Sequence, residues 1–381
     1  MKLLHLSDLH IGKRVNEFSM LEDQKFILEQ ILKLVRETKP DAVLIAGDLY
    51  DRGVPSGEAV TLLDDFLTEL AGTGTAVLAA SGNHDSPERL DFGRRLMRKS
   101  GVTIAGSFRG RPESVDLTDS FGTVRVHLLP FLKPAAVAPF FPEEAIDSFE
   151  SAVRLALGAG ERGAGRNVLV AHQFVTAGRE EPLRCDSETI SVGGADNVDA
   201  SVFTGFDYVA LGHLHGAQRI GGDHIRYAGS PLKYSFSEAR KQKSVTLVEL
   251  GEPGRVEISL LPLTPKYDLR EIKGPIAGLL ACAAESGGSQ DYIRAVLTDR
   301  DEVPDAVGKL RAVYPNLMRI DFERSAEPDS EGTTAAHGDL SCKTPLELFA
   351  EFYRDQTGEE MTEAENAVMR QVVKKALEVE E

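Results

Sequence analysis

Six times within the first 231 residues, a short apolar run ends in a polar cluster, which restricts the chain to a sheet whose strand ends carry its chemistry. The runs 3–6, 42–46, 76–80, 167–171, 207–211 and 225–228 have the length and largely apolar character of buried strands. The clusters are Ser7-Asp8-Leu9-His10, Gly47-Asp48-Leu49-Tyr50-Asp51-Arg52-Gly53, Gly82-Asn83-His84-Asp85, Ala171-His172-Gln173, Gly212-His213-Leu214-His215 and Gly229-Ser230-Pro231. Loops beyond strand ends are where α/β sheets bind ligands.

Helices are expected between the strands. Ile27, Ile31, Leu34 and Val35 form an amphipathic stripe closed by Pro40, and further helices are expected over 56–70 and 87–99. With strands at 124–129 and 244–250, the first 262 residues read as a layered α/β domain built on a mixed sheet or a two-sheet sandwich. Pro262 and Pro265 mark a junction. Residues 264–325 then read as a small β-α-β-α-β domain, 326–340 as a polar flexible linker, and 341–381 as a helical tail. Leu346, Phe349, Phe352 and Tyr353 form one apolar face in that tail, and Val368, Met369 and Val372 another. Two short helices on a tether cannot bury such faces alone, so the tail is expected to dock on a partner.

The formal charge of −17 argues against a protein that binds nucleic acid over its whole surface. A polyanion would have to meet local basic patches or metal ions. Two basic stretches qualify: 89–99, with Arg94 and Arg95, and 231–243, with Lys233, Arg240 and Lys241. Cys185, Cys282 and Cys342 are too scattered for a zinc knuckle or a disulfide framework. No apolar run reaches the ~20 residues that cross a bilayer. Asp8 interrupts the N-terminus before a signal-like segment could form, so a cytoplasmic, membrane-free location is expected.

Five of the nine histidines fall in the strand-end clusters. Asp8 and His10, like His213 and His215, are spaced i, i+2 and so share one side of an extended segment. Carboxylate, amide and imidazole ligands without a thiolate suit manganese, iron, zinc or magnesium.

The order Asp-x-His, Gly-Asp-x-x-Asp, Gly-Asn-His-Asp, His, Gly-His-x-His resembles the calcineurin-like metallophosphoesterase superfamily. The opening Leu4-His5-Leu6-Ser7-Asp8-Leu9-His10-Ile11-Gly12, the segment from Tyr227 to Glu238, and the cap and tail look like the SbcD branch of the Mre-type nucleases. The resemblance implies a β-sandwich flanked by helices, with a small α+β capping domain and a C-terminal helical tail. It implies two manganese ions, with magnesium as the alternative. One would be held by Asp8, His10, Asp48 and His215, the other by Asp48, Asn83, His172 and His213, with Asp48 bridging.

In the same family His84 is not a ligand but stabilises the transition state or protonates the leaving oxygen. Asp51, at a position where many archaeal and eukaryotic relatives have histidine, would orient His84. Arg52 would clamp phosphate, as in the similar phosphoprotein phosphatase signature. The implied activity is hydrolysis of DNA phosphodiester bonds, as a double-strand exonuclease and a hairpin or single-strand endonuclease. The implied partners are an SbcC-like SMC-type ATPase that grips the tail, DNA ends and hairpins, and a second copy paired through helices of the first domain. The alternative is a small-substrate phosphodiesterase or phosphoprotein phosphatase using the same metals.

Overall fold

The computed structural model describes residues 1–188, 196–299, 301, 303–323, 345–357 and 360–377, in two compact units, Met1–Arg324 and Ser325–Glu381. The first unit contains two six-stranded sheets. In one, Lys2–Leu6, Ala42–Ala46, Ala76–Ala80 and Val102–Ala105 run parallel, with Ser244–Leu250 and Val256–Pro262 added antiparallel beside Lys2–Leu6. In the other, Gly122–Leu129, Arg166–His172, Tyr208–Gly212 and Ile225–Tyr227 run parallel between the antiparallel edges Glu113–Asp119 and Gln218–Arg219.

The period-2 alternation of each strand feeds two cores. Leu3, Leu44 and Leu78 of the first sheet join Val126, Val168 and Ala210 of the second in a core between the sheets. Leu4, Val43 and Val77 point the other way, onto the helices Leu21–Thr38 and Gly57–Gly72. The outer face of the second sheet is covered around the helix Phe149–Gly158. The helix-flanked sandwich expected from the sequence is therefore present.

The expected helix over 87–99 is broken into Pro87–Leu90, Arg94–Met97 and a 3₁₀ turn at Arg98–Ser100. Gly93 takes φ 71°, which no continuing helix allows, and Asp91 turns its carboxylate to Gly106 N (3.2 Å) and Arg109 (2.8 Å).

Leu269–Gly274, Tyr292–Leu297 and Leu317–Phe322 form a parallel three-stranded sheet connected by the helices Ile276–Ser286 and Ala306–Arg311. It meets the first helix through Tyr292, whose hydroxyl donates to the buried Asp23 at 2.6 Å. In the second unit, the helices Pro345–Thr357 and Glu363–Leu377 leave Phe352, Val368 and Val372 exposed. The expected linker, 326–340, lies outside the described residues.

The basic stretch 231–243 is largely committed to internal pairs. Lys243 is buried and bonds Glu238, Ser230 Oγ (2.8 Å) and the His215 carbonyl (2.7 Å). Lys233, 10% exposed, pairs with Asp268 at 2.8 Å. Arg240 remains exposed, and Lys241 donates to Cys185 Sγ at 3.2 Å. Burial alone would raise the Glu238 carboxyl, but His215 and Lys243 beside it hold it well below the ordinary range. Since the folded value lies below the unfolded one, Glu238 contributes stability above about pH 4.3, and that contribution is lost as pH falls. Glu238→Gln should therefore lower stability at pH 7 by about 3–5 kcal/mol and flatten its decline below about pH 5; urea denaturation between pH 3 and 7 would measure both.

Candidate metal centre

The parallel strands of the two sheets end at one edge of the sandwich, and every expected ligand sits there. Backbone approach is close: a Cβ on Gly212 would lie 1.8 Å from the Ala46 carbonyl, and one on Gly82 would lie 2.1 Å from Asp48 Oδ1. Asp8 (φ 53°), His10 (45°), Asp48 (51°) and His213 (102°) all adopt positive φ, a strain that clusters at functional sites.

Asp48 Oδ2 lies 3.5 Å from His10 Nε2 and 3.4 Å from His172 Nε2, between the two expected ligand sets. Asp8, His10 and His215 converge on one side, and Asp8, Asp48 and His172 on the other. Asn83 Oδ1 stands 2.9 Å from His172 Nε2 and 3.0 Å from His213 Nδ1. All seven residues predicted to be ligands are thus brought together.

The arrangement of lone pairs fits cations. Ser187 Oγ donates to Glu238 at 3.0 Å and so accepts from His215 Nδ1 at 2.7 Å, leaving His215 Nε2 bare. That nitrogen faces His10 Nε2 at 3.1 Å. His10 Nε2 therefore donates to it in the metal-free chain; moving that proton to Nδ1 would leave both Nε2 lone pairs free for a cation. Burial holds His10 well below its ordinary value and His213 down at about 3, so both offer neutral rings.

Burial would also raise Asp48, but His172 and His10 keep it well below the carboxylate range. Against the same burial, Asp48 and Asp8 raise His172 to about 9. His172 Nδ1 is 2.8 Å from the Ala46 carbonyl, so its second proton sits on Nε2, where a cation would be held.

His84 is half-buried at the rim. Its Nδ1 lies 2.9 Å from the Asp51 main-chain carbonyl, and its backbone N–H donates to Asp48 Oδ1 at 2.9 Å. Asp51 thus meets His84 through its main-chain carbonyl, while its carboxylate accepts from Lys13 Nζ at 2.7 Å. Arg52 is 76% exposed, with Nε 3.6 Å from Asp51. Of the expected DNA contacts on 89–99, Arg94 pairs with Glu113 at 2.9 Å, while Arg95 is exposed.

Several supporting residues gave no sequence signal because they come from remote segments. Gln24 donates to the His10 carbonyl (2.7 Å) and to Tyr234 Oη (3.1 Å), while Tyr234 donates to the Leu9 carbonyl (2.6 Å). Glu188 accepts from the His215 backbone at 2.7 Å. Asp85 closes the Gly82-Asn83-His84-Asp85 cluster, yet its spacing gave it no role. It accepts from Leu49, Tyr50 and Gly82 N–H groups and locks two site loops together. Burial and the neighbouring Asp48 charge push Asp85 up to about 6.

A family model described as calcineurin-like phosphoesterase matches residues 1–217, and one described as type 5 capsule protein repressor C-terminal domain matches 265–357. Two curated relatives, both named as the SbcD subunit of the nuclease SbcCD, are 29% identical. The one from Staphylococcus epidermidis aligns over 374 residues, 96% of each chain, and the one from Staphylococcus saprophyticus over 385 residues, 99% of each. A solved dimetal phosphatase from Danio rerio is 12% identical, covers 68% of this chain and 95% of its own, and superposes with a TM-score of 0.38.

Because His172 must shed a proton to present Nε2, manganese uptake at pH 7 should release about one proton. Affinity should weaken by about tenfold for each pH unit below about 9. Titration calorimetry in buffers of different ionisation enthalpy would count that proton.

Proposed function

The chain belongs to the calcineurin-like phosphoesterase family, and from that membership we propose that it is a metal-dependent DNA nuclease acting on phosphodiester bonds. The observation that carries the reading is the convergence of Asp8, His10, Asp48, His172 and His215, with Asp48 Oδ2 between His10 and His172. The near full-length likeness to two nuclease subunits supports DNA as the substrate.

Asp8, His10, Asp48 and His215 would hold one manganese or magnesium ion, and Asp48, Asn83, His172 and His213 the other. When bound, such ions supply charge neutralisation at phosphate oxygens and acidify water. The chain's own contribution is positional. His84 spends its Nδ1 proton on the Asp51 carbonyl, leaving Nε2 to hold or deliver a proton at the leaving oxygen. Exposed Arg52 can reach a phosphate at the rim.

The wider assembly follows the same reading. Residues 264–325 act as a cap over the substrate. The helical tail, 341–381, grips an SbcC-like ATPase through the faces that include Phe352, Val368 and Val372. Two copies pair through the exposed apolar Val60, Phe92 and Leu96 of the first unit. Among the described residues no helix is long and apolar enough to cross a membrane.

With manganese and the ATPase present, labelled blunt and hairpin duplexes should be cut, while a phosphopeptide and a cyclic nucleotide should be hydrolysed far more slowly. DNA left intact under those conditions defeats the nuclease reading. His84→Ala should lower the cleavage rate by about 10²–10⁴ without displacing manganese. An unchanged rate would remove His84 from the mechanism.

A further inference from the structure

The Asp51 carboxylate occupies a position that its side-chain chemistry must account for. One oxygen, Oδ1, accepts from Lys13 Nζ at 2.7 Å and lies 3.5 Å from His10 Nδ1. Asp51 is only 12% exposed there and Lys13 13%. His10 Nδ1 is buried and has no hydrogen-bond partner among the described residues. On the opposite side of the same ring, Nε2 faces His215 and Asp48.

The ring has little freedom to turn away. Gln24 holds the His10 carbonyl, and the rings of His84 and Tyr234 stand edge-on to it, with centroids at 4.8 and 5.7 Å. With its proton on Nδ1, as a metal ligand requires, the buried ring would need an acceptor there, and Asp51 Oδ1 is within a small side-chain shift of bonding to it. When a histidine donates its lone pair to a metal, the other nitrogen usually donates to a carboxylate or carbonyl, which fixes the tautomer and raises ligand basicity. His172 and His215 already have such partners in the Ala46 carbonyl and Ser187.

We propose that Asp51 is the positioning residue for the metal ligand His10, and that Lys13 anchors the Asp51 carboxylate in place. Asp51 accepts the Nδ1 proton and thereby keeps the Nε2 lone pair directed into the cation site. Lys13 holds the carboxylate against the ring instead of letting it swing to solvent. The inference rests on the two-cation reading above and deepens it, because it places the support of one ion in residues outside both ligand sets.

The test is a titration of the full chain with Mn²⁺, counting free ion by electron paramagnetic resonance, with thermal unfolding recorded for each variant. Wild type should bind two ions. Asp51→Ala should weaken one of them by about 100-fold and leave the other unchanged; Asp51→Asn, which keeps an acceptor but not its charge, should weaken the same ion by about tenfold. Lys13→Met should give a smaller loss at that ion, and Lys13→Arg should restore it. Should Asp51→Ala not fold, the single-ion loss in Asp51→Asn decides. Equal affinities in wild type and the Asp51 variants would overturn the proposal, as would a parallel loss of both ions with a fall in Tm. A wild-type chain that takes up no manganese would instead sink the two-cation reading itself.

Discussion

The structure depends on keeping one carboxylate ionised where water is excluded. Asp48 is 2% exposed, and burial by itself would protonate it. It stays charged because His10 and His172 approach one of its oxygens, while the His84 backbone N–H binds the other. Each contact comes from a different strand end, so the requirement on Asp48 becomes a requirement on the packing of two sheets. Gly82 is confined to a glycine by the same crowding, since any side chain would strike the Asp48 carboxylate. The positions of the strands and the chemistry of the site are thus one constraint.

The distribution of charge follows from it. A chain of net charge −17 repels a phosphodiester backbone, and many of the cations among its described residues are committed to internal pairs. Lys243, through the His215 carbonyl, and Lys233, through Asp268, hold the 231–243 segment to the body. Arg94 and Arg98 share Glu113, and buried Arg166 pairs with Asp119. Attraction for a polyanion is therefore concentrated where acceptors converge and divalent ions would bring the positive charge.

How far the sequence could be read depends on the range of each interaction. The strand ends were legible because apolar runs and their polar terminators are adjacent in the chain, and so were Asp8, His10, Asp48, Asn83, His172, His213 and His215 as a group. The helix over 87–99 was misread because its apolar and basic periodicity says nothing of Gly93 adopting a left-handed turn. The contact between Asp51 and His84 was expected, but which Asp51 atom makes it was not, because spacing does not tell a main-chain carbonyl from a side-chain carboxylate. Lys13, Gln24, Tyr234 and Ser187 were invisible because their partners are fixed only by the tertiary fold. The same holds for Lys243, whose charge reads as solvent-facing until Glu238 is found beside it.

The strain at the strand ends bears on how such a site works. Four ligand-bearing residues hold positive φ, each at a cost of about 1–3 kcal/mol, and the cost falls on the metal-free fold. A sandwich with three packed apolar layers can carry that load, because relaxing one loop would break the register of strands buried on both faces. The ligands are therefore set before any ion arrives, so binding need not order a loop. Ion affinity is then governed by the protons to be displaced and by the groups that aim each ring. Groups such as Ser187 and Asp85, which hold His215 and two of the site loops, thereby bear on how the rings are aimed.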